Sequence, residues 1–126
     1  MTIEALGIIN NLLDNLIPYE FRQWTGTLSF PYWIGEYSEV APMSEDGEEE
    51  TTFIITGTTT GNFIELENGK QIIAEEFPKI SGKTVKLSDS SIMKIWYETA
   101  YPVPTDDNNI KRLQVNLRIK EWKVNE

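Results

Sequence analysis

The chain has 126 residues, enough for one domain that buries about two-thirds of its unfolded surface without cross-links or metals. It contains no cysteine and no histidine, which excludes disulfides, thiolate or His-ligated metal sites, cysteine nucleophiles and Ser-His-Asp catalysis. Its formal charge of −9 is concentrated in one stretch: residues 36–50 hold seven of the 20 acids and no base.

Thr2 is positioned to cap a first helix running to about residue 16. Leu6, Ile9, Leu13 and Leu16 recur at three and four, and Ile8, Leu12 and Ile17 widen the apolar stripe. Pro18 stops it. The wet side carries Glu4, Asn10, Asn11, Asp14 and Asn15, with none of the Lys or Arg that a membrane-lying helix uses. A helix that covers a sheet is the expectation. No apolar run approaches the roughly 18 residues of a membrane span, and the basic-then-apolar order of a signal peptide is missing from the N-terminus.

Residues 21–26 read as a connector. Residues 28–37 read as a strand that is an edge or begins after Pro31, because proline cannot donate to a ladder. Residues 38–50 form an acidic loop with Asp46-Gly47 as its turn, and residues 51–58 return as a strand around Phe53-Ile54-Ile55. The tip at 44–50 is expected to be mobile and dispensable for folding, since its carboxylates repel one another into solvent.

Asn62 and Glu65 have the spacing of a capping box, opening a second helix that runs to about residue 77 with Phe63, Leu66, Ile73 and Phe77 on one side. Gly69 in its middle costs about 1 kcal/mol relative to alanine. After Pro78 come a short strand near 84–87, a turn at Ser88-Asp89-Ser90, and a strand over 92–100 in which Met93, Ile95 and Tyr97 alternate with Lys94, Trp96 and Glu98. From Ile110 the last strand keeps strict period two. Leu113, Val115, Leu117 and Ile119 take one face; Gln114, Asn116, Arg118, Lys120 and Trp122 take the other. The chain is therefore read as one α+β domain over 1–126, ordered α-β-β-α-β-β-β. Its antiparallel sheet has four to five strands, and both helices pack on one face.

Candidate chemistry is sparse. Gly57-Thr58-Thr59-Thr60-Gly61 follows a strand and opens a helix, but a phosphate-binding loop needs four residues between its glycines and then Lys-Ser/Thr. Residues 45–50 lack the alternating spacing that wraps oxygens around Ca²⁺. Asp106-Asp107 and Glu75-Glu76 are adjacent acids in a loop and on an exposed helix, with no burial to divide them into an acid and a base. Trp24, Trp33, Trp96, Trp122, Tyr32 and Tyr37 lack the clustered cations that would make them a nucleic-acid platform, and core packing or a protein interface is the better reading of them. The expectation is a protein with no catalytic residues, no cofactor and no metal, one that binds no specific nucleic-acid sequence. Its candidate protein-contact residues are Glu45, Asp46, Glu48, Glu49 and Glu50 in the acidic stretch and Arg118, Lys120 and Trp122 on the last strand. That final segment, 110–126, has five bases against two acids.

Several stretches resemble a family of tail-completion, or tail-terminator, proteins of long-tailed bacteriophages and prophages. They are Tyr32-Trp33-Ile34-Gly35-Glu36-Tyr37, Thr51-Thr52-Phe53-Ile54-Ile55-Thr56-Gly57, Val103-Pro104-Thr105, and Val115-Asn116-Leu117 through Lys120-Glu121-Trp122-Lys123-Val124. The resemblance implies a small structural subunit that forms a ring of six copies at the head-proximal end of the tail tube. There it would stop tube growth and meet head–tail junction proteins, having been made in the host cytoplasm and incorporated into the virion tail. A different reading of the same acidic stretch is a binding module or inhibitor that occupies a basic site on a partner.

Overall fold

The computed structural model describes residues 1–40 and 49–122. In chain order these form α1 (Ile3–Asp14), β1 (Tyr19–Phe21), β2 (Tyr32–Val40), β3 (Glu49–Thr59), α2 (Ile64–Glu76), β4 (Lys83–Lys86), β5 (Ile92–Val103) and β6 (Lys111–Trp122). The architecture is α+β, with two helices and one six-stranded mixed sheet in the order β1-β2-β3-β6-β5-β4. Two features differ from the sequence expectation: the sheet has six strands rather than four or five, and it is not wholly antiparallel. The difference is β1, which pairs parallel to β2 through Tyr19↔Trp33, Glu20↔Ile34 and Phe21↔Gly35. Two further bonds extend that ladder, Trp33 N–H to the Pro18 carbonyl at 2.8 Å and Arg22 N–H to the Gly35 carbonyl at 2.9 Å. Three residues between Pro18 and a left-handed Arg22 (φ 72°) are too few to display a period, so β1 reads as connector from sequence.

Thr2 caps α1, its Oγ1 accepting from Ala5 N–H at 3.1 Å. Ala5, Ile9 and Leu13 are buried along one side of this helix. β2 begins directly after Pro31, as the missing proline N–H requires, and it pairs along its full length with β3, from Tyr32↔Thr58 to Val40↔Glu50. Glu45, Asp46 and Glu48 of the expected mobile tip lie outside the described residues. Glu49 and Glu50, the last two residues of that tip, are paired rungs of β3, opposite Glu121 and Lys120 of β6.

The capping box is replaced by a different arrangement. Asn62 Oδ1 accepts from Ile64 N–H at 3.0 Å, while the Glu65 carboxylate turns back to the Thr59 hydroxyl at 3.0 Å. α2 then runs without a break through Gly69. The glycine is required by a close approach: a Cβ there would overlap Cζ2 of Trp33 and fall 2.9 Å from Cε2. Gly57, directly across from Trp33 on β3, flanks the same indole, where an added Cβ would lie 2.6 Å from Cζ3. Trp33 is thus held between a strand glycine and a helix glycine, fully buried at the join of sheet and α2.

β5 carries a bulge. Tyr97 pairs with Leu117 and Thr99 with Asn116, leaving Glu98 as the extra residue. The strand continues to Val103 through Pro102, which is accommodated because β4 runs beside only Ile92–Ile95 and leaves the rest of β5 as an edge. Alternate residues of β3, β5 and β6 (Phe53, Ile55, Met93, Ile95, Leu113, Val115, Leu117 and Ile119) form one core with the apolar sides of both helices, so the helices share a face of the sheet. No helix among the described residues is long and apolar enough to cross a membrane.

Candidate protein interface

The face of the sheet away from the helices is half-buried and polar, and its rungs run across three central strands. One rung is Thr52–Arg118–Trp96, and the next is Glu50–Lys120–Lys94. On this surface the Trp96 ring takes Arg118 at 4.8 Å and Lys94 at 5.3 Å from its centroid. Two cations close to one indole ring is a favourable electrostatic arrangement, worth about 0.5–1 kcal/mol per pair where solvent is near. Gly82, in the left-handed region at φ 67°, lies against the edge of the same ring, since a Cβ there would fall 2.7 Å from Nε1. The backbone after α2 and the cations of β5 and β6 together fix the orientation of Trp96.

Beside this centre runs a hydrogen-bonded polar strip. Gln114 donates to the Tyr101 hydroxyl at 2.6 Å and to Asn116 Oδ1 at 3.0 Å, and Asn116 donates to the Thr99 hydroxyl at 3.3 Å. The bulge at Glu98 makes the strip possible, because it moves Thr99 and Tyr101 onto the open face after Lys94 and Trp96. At the β2 side, Tyr32 meets Trp24 and Phe30 with ring centroids 5.5 and 5.6 Å away, and Leu28 and Phe30 are exposed.

Of the residues expected at a contact surface, Arg118 and Lys120 stand together on this open face, with Glu50 across from Lys120. Trp122 lies at the end of β6 opposite Ile92, half-buried. The ring next to the cations is Trp96, which the sequence places on an alternating strand and among six aromatics assigned to core packing or a protein interface, without singling it out. The signal for it was present in Lys94-Ile95-Trp96, but the neighbour that completes it, Arg118, is known only once β5 and β6 are in register.

Glu49 belongs elsewhere, to a charged cluster at the far end of the core face. Glu121 continues the phase of Val115, Leu117 and Ile119 and is buried at this end. One of its oxygens accepts from the Thr2 N–H at 3.4 Å and the Thr2 hydroxyl at 3.2 Å. The Met1 ammonium lies 2.5 Å from Glu39, 3.5 Å from Glu49 and 4.0 Å from Glu121. Burial pushes the Glu121 carboxyl above its ordinary range and the Glu49 charge adds to this, against the opposing pull of Thr2 and the ammonium.

The pH consequence has a definite sign. A carboxyl whose folded value is raised contributes stability that is full below its ordinary value of 4.5 and is lost as pH rises through the raised folded value. Glu121→Gln is expected to remove that part of the pH dependence, giving a flatter stability profile just above pH 4.5. Urea melts of both proteins across this range check it, and superimposable profiles would show that Glu121 titrates as an ordinary surface acid.

No group of three or more His, Cys, Asp or Glu residues among the described residues is arranged to hold a metal ion. Compared with models of known protein families and with characterised proteins, the chain matches none.

Proposed function

We propose that this chain is a structural subunit of a long-tailed phage tail, one that ends tail-tube growth and forms a ring of six copies at the head–tail junction. It would be made in the host cytoplasm and become part of the virion tail. The reading rests on the resemblance of its strand segments to tail-completion proteins. The observation that carries it is the open sheet face, with Arg118 and Lys94 against the Trp96 ring and no helix over it among the described residues. An aromatic ring framed by cations and a hydrogen-bonded strip has the composition of a buried contact patch. In sequence, residues 36–50 carry seven acids and no base, a charge of opposite sign. Closed rings form from two unlike, complementary patches on each subunit, which such a distribution of charge supplies.

Light scattering on the purified chain, followed by electron microscopy of the largest species, tests this. Closed rings of one size, which add to tail tubes and arrest their lengthening, are the expected result. A strictly monomeric chain that leaves tube length unchanged and instead captures a basic partner protein would favour the inhibitor reading.

A further inference from the structure

Where the ends of β3 and β6 meet the start of α1, a pocket of about 100 Å³ opens beside the charged cluster. Its acidic lining is Glu49, Asp89 and Glu121, with the Ser91 and Thr2 side chains between them. Leu87 and Trp122 provide apolar walls. Glu121 is only 5% exposed, yet its Oε2 has no hydrogen-bond partner. The other such oxygen among the described residues is the hydroxyl of Thr51, two residues from Glu49 on the same side of β3.

A buried carboxylate oxygen with no donor is costly, and the cost is relieved by an opposite charge that also donates hydrogen bonds. The nearby Met1 ammonium does not meet this need. It is shared among the carboxylates of Glu39, Glu49 and Glu121 and stands 4.0 Å from the Glu121 oxygen. Three carboxylates against one ammonium leave an excess of negative charge. The described acids are not spaced as a metal cage. An indole and a leucine side chain are suited to the methylene stem of an organic cation, and the indole face adds attraction for its charge.

We propose that this pocket binds a primary alkylammonium group, in chemical class the side-chain end of a lysine. The ammonium donates to Glu121 Oε2, with Glu49 and the Ser91 hydroxyl as further acceptors, and the stem lies between Trp122 and Leu87. The site shares Glu49 and Trp122 with the candidate contact residues, but it does not rest on the ring reading.

Titration of n-butylammonium into the ¹⁵N-labelled full chain, followed by NMR at physiological salt, tests the proposal. Saturable shifts of the Trp122 indole N–H and of the Glu49 and Ser91 amides are expected, with Kd on the order of 1–10 mM for so small a ligand. Glu121→Gln should weaken binding about tenfold or more, since a charge-assisted bond becomes a neutral one. Glu49→Gln, an exposed change that spares the core, should weaken it by a smaller factor. Acetyl-lysine methylamide and putrescine, run alongside, separate a protein side chain from a free diamine by which of them binds more tightly. An absence of saturation in the wild type overturns the proposal. So does unchanged affinity in both variants, or an equal response to n-butanol, sodium or calcium.

Discussion

Trp33→Ala is expected to lower the unfolding free energy by about 3–5 kcal/mol, the range for removing a large buried aromatic ring. The ring is fully buried and lies where β2, β3 and α2 converge. Its loss leaves a void bounded by backbone on two sides, at Gly57 and Gly69, and backbone collapses into a void less readily than side chains do. The complementary changes are informative because propensity and packing disagree about them. Gly69→Ala gains about 1 kcal/mol of helix propensity, yet the new methyl would overlap the indole of Trp33. Overpacking costs about 1–3 kcal/mol, so a net loss of stability is expected. Gly57→Ala has no helical gain to offset the overlap and should cost more. Urea unfolding at constant m-value measures all three. A Gly69→Ala protein more stable than the wild type would mean that the indole moves aside freely and that the two glycines do not hold it.

Trp96→Ala and Arg118→Glu should each weaken self-association by about thirtyfold or more, the scale of a central contact residue, while leaving the monomer folded. The first removes the ring on which two cations rest; the second reverses one of those cations. Both side chains are on the face opposite the core, so neither change opens a cavity. Trp122→Ala, the substitution that the last strand alone suggests, belongs in the same series. Leu117→Ala is the control on the other side of the same strand, and there a stability loss of about 2–5 kcal/mol is expected. Sedimentation velocity at several concentrations, paired with thermal melts, separates the two outcomes. If Trp96→Ala and Arg118→Glu both associate like the wild type, the open face is not the contact surface.

Much of the element pattern was legible because local physics sets it. The Thr2 cap, the apolar stripe of α1, the start of β2 after Pro31 and the alternation of β6 all depend on residues within a few positions of one another, whereas α1 ends at Asp14, short of the residue 16 that Pro18 alone would allow. β1 escaped because its three residues form a strand only by lying beside β2. The Glu65 carboxylate was expected at the N–H of its own helix cap and instead meets Thr59, six residues back on β3. Glu121 was readable in part: it keeps the two-residue phase of Ile119 and Leu117, but its charge argues for solvent, and the phase prevailed.

By itself the sequence determined the α+β class, the lack of cysteine and histidine chemistry, the placing of negative charge in one stretch and the division of β6 into a core side and an outer side. Periodicity carries that information, since it reports which side of an element is apolar. It does not report which element lies alongside. The β3–β6 pairing joins segments more than fifty residues apart, and the β5–β6 register is shifted by a single extra residue at Glu98. Only the tertiary structure could therefore decide that Arg118 stands over Trp96, that Gly69 makes room for Trp33, and that Glu121 is enclosed beside the start of α1. Each of these depends on side chains brought together from distant parts of the chain, where burial and packing outweigh the local preferences of the residues involved.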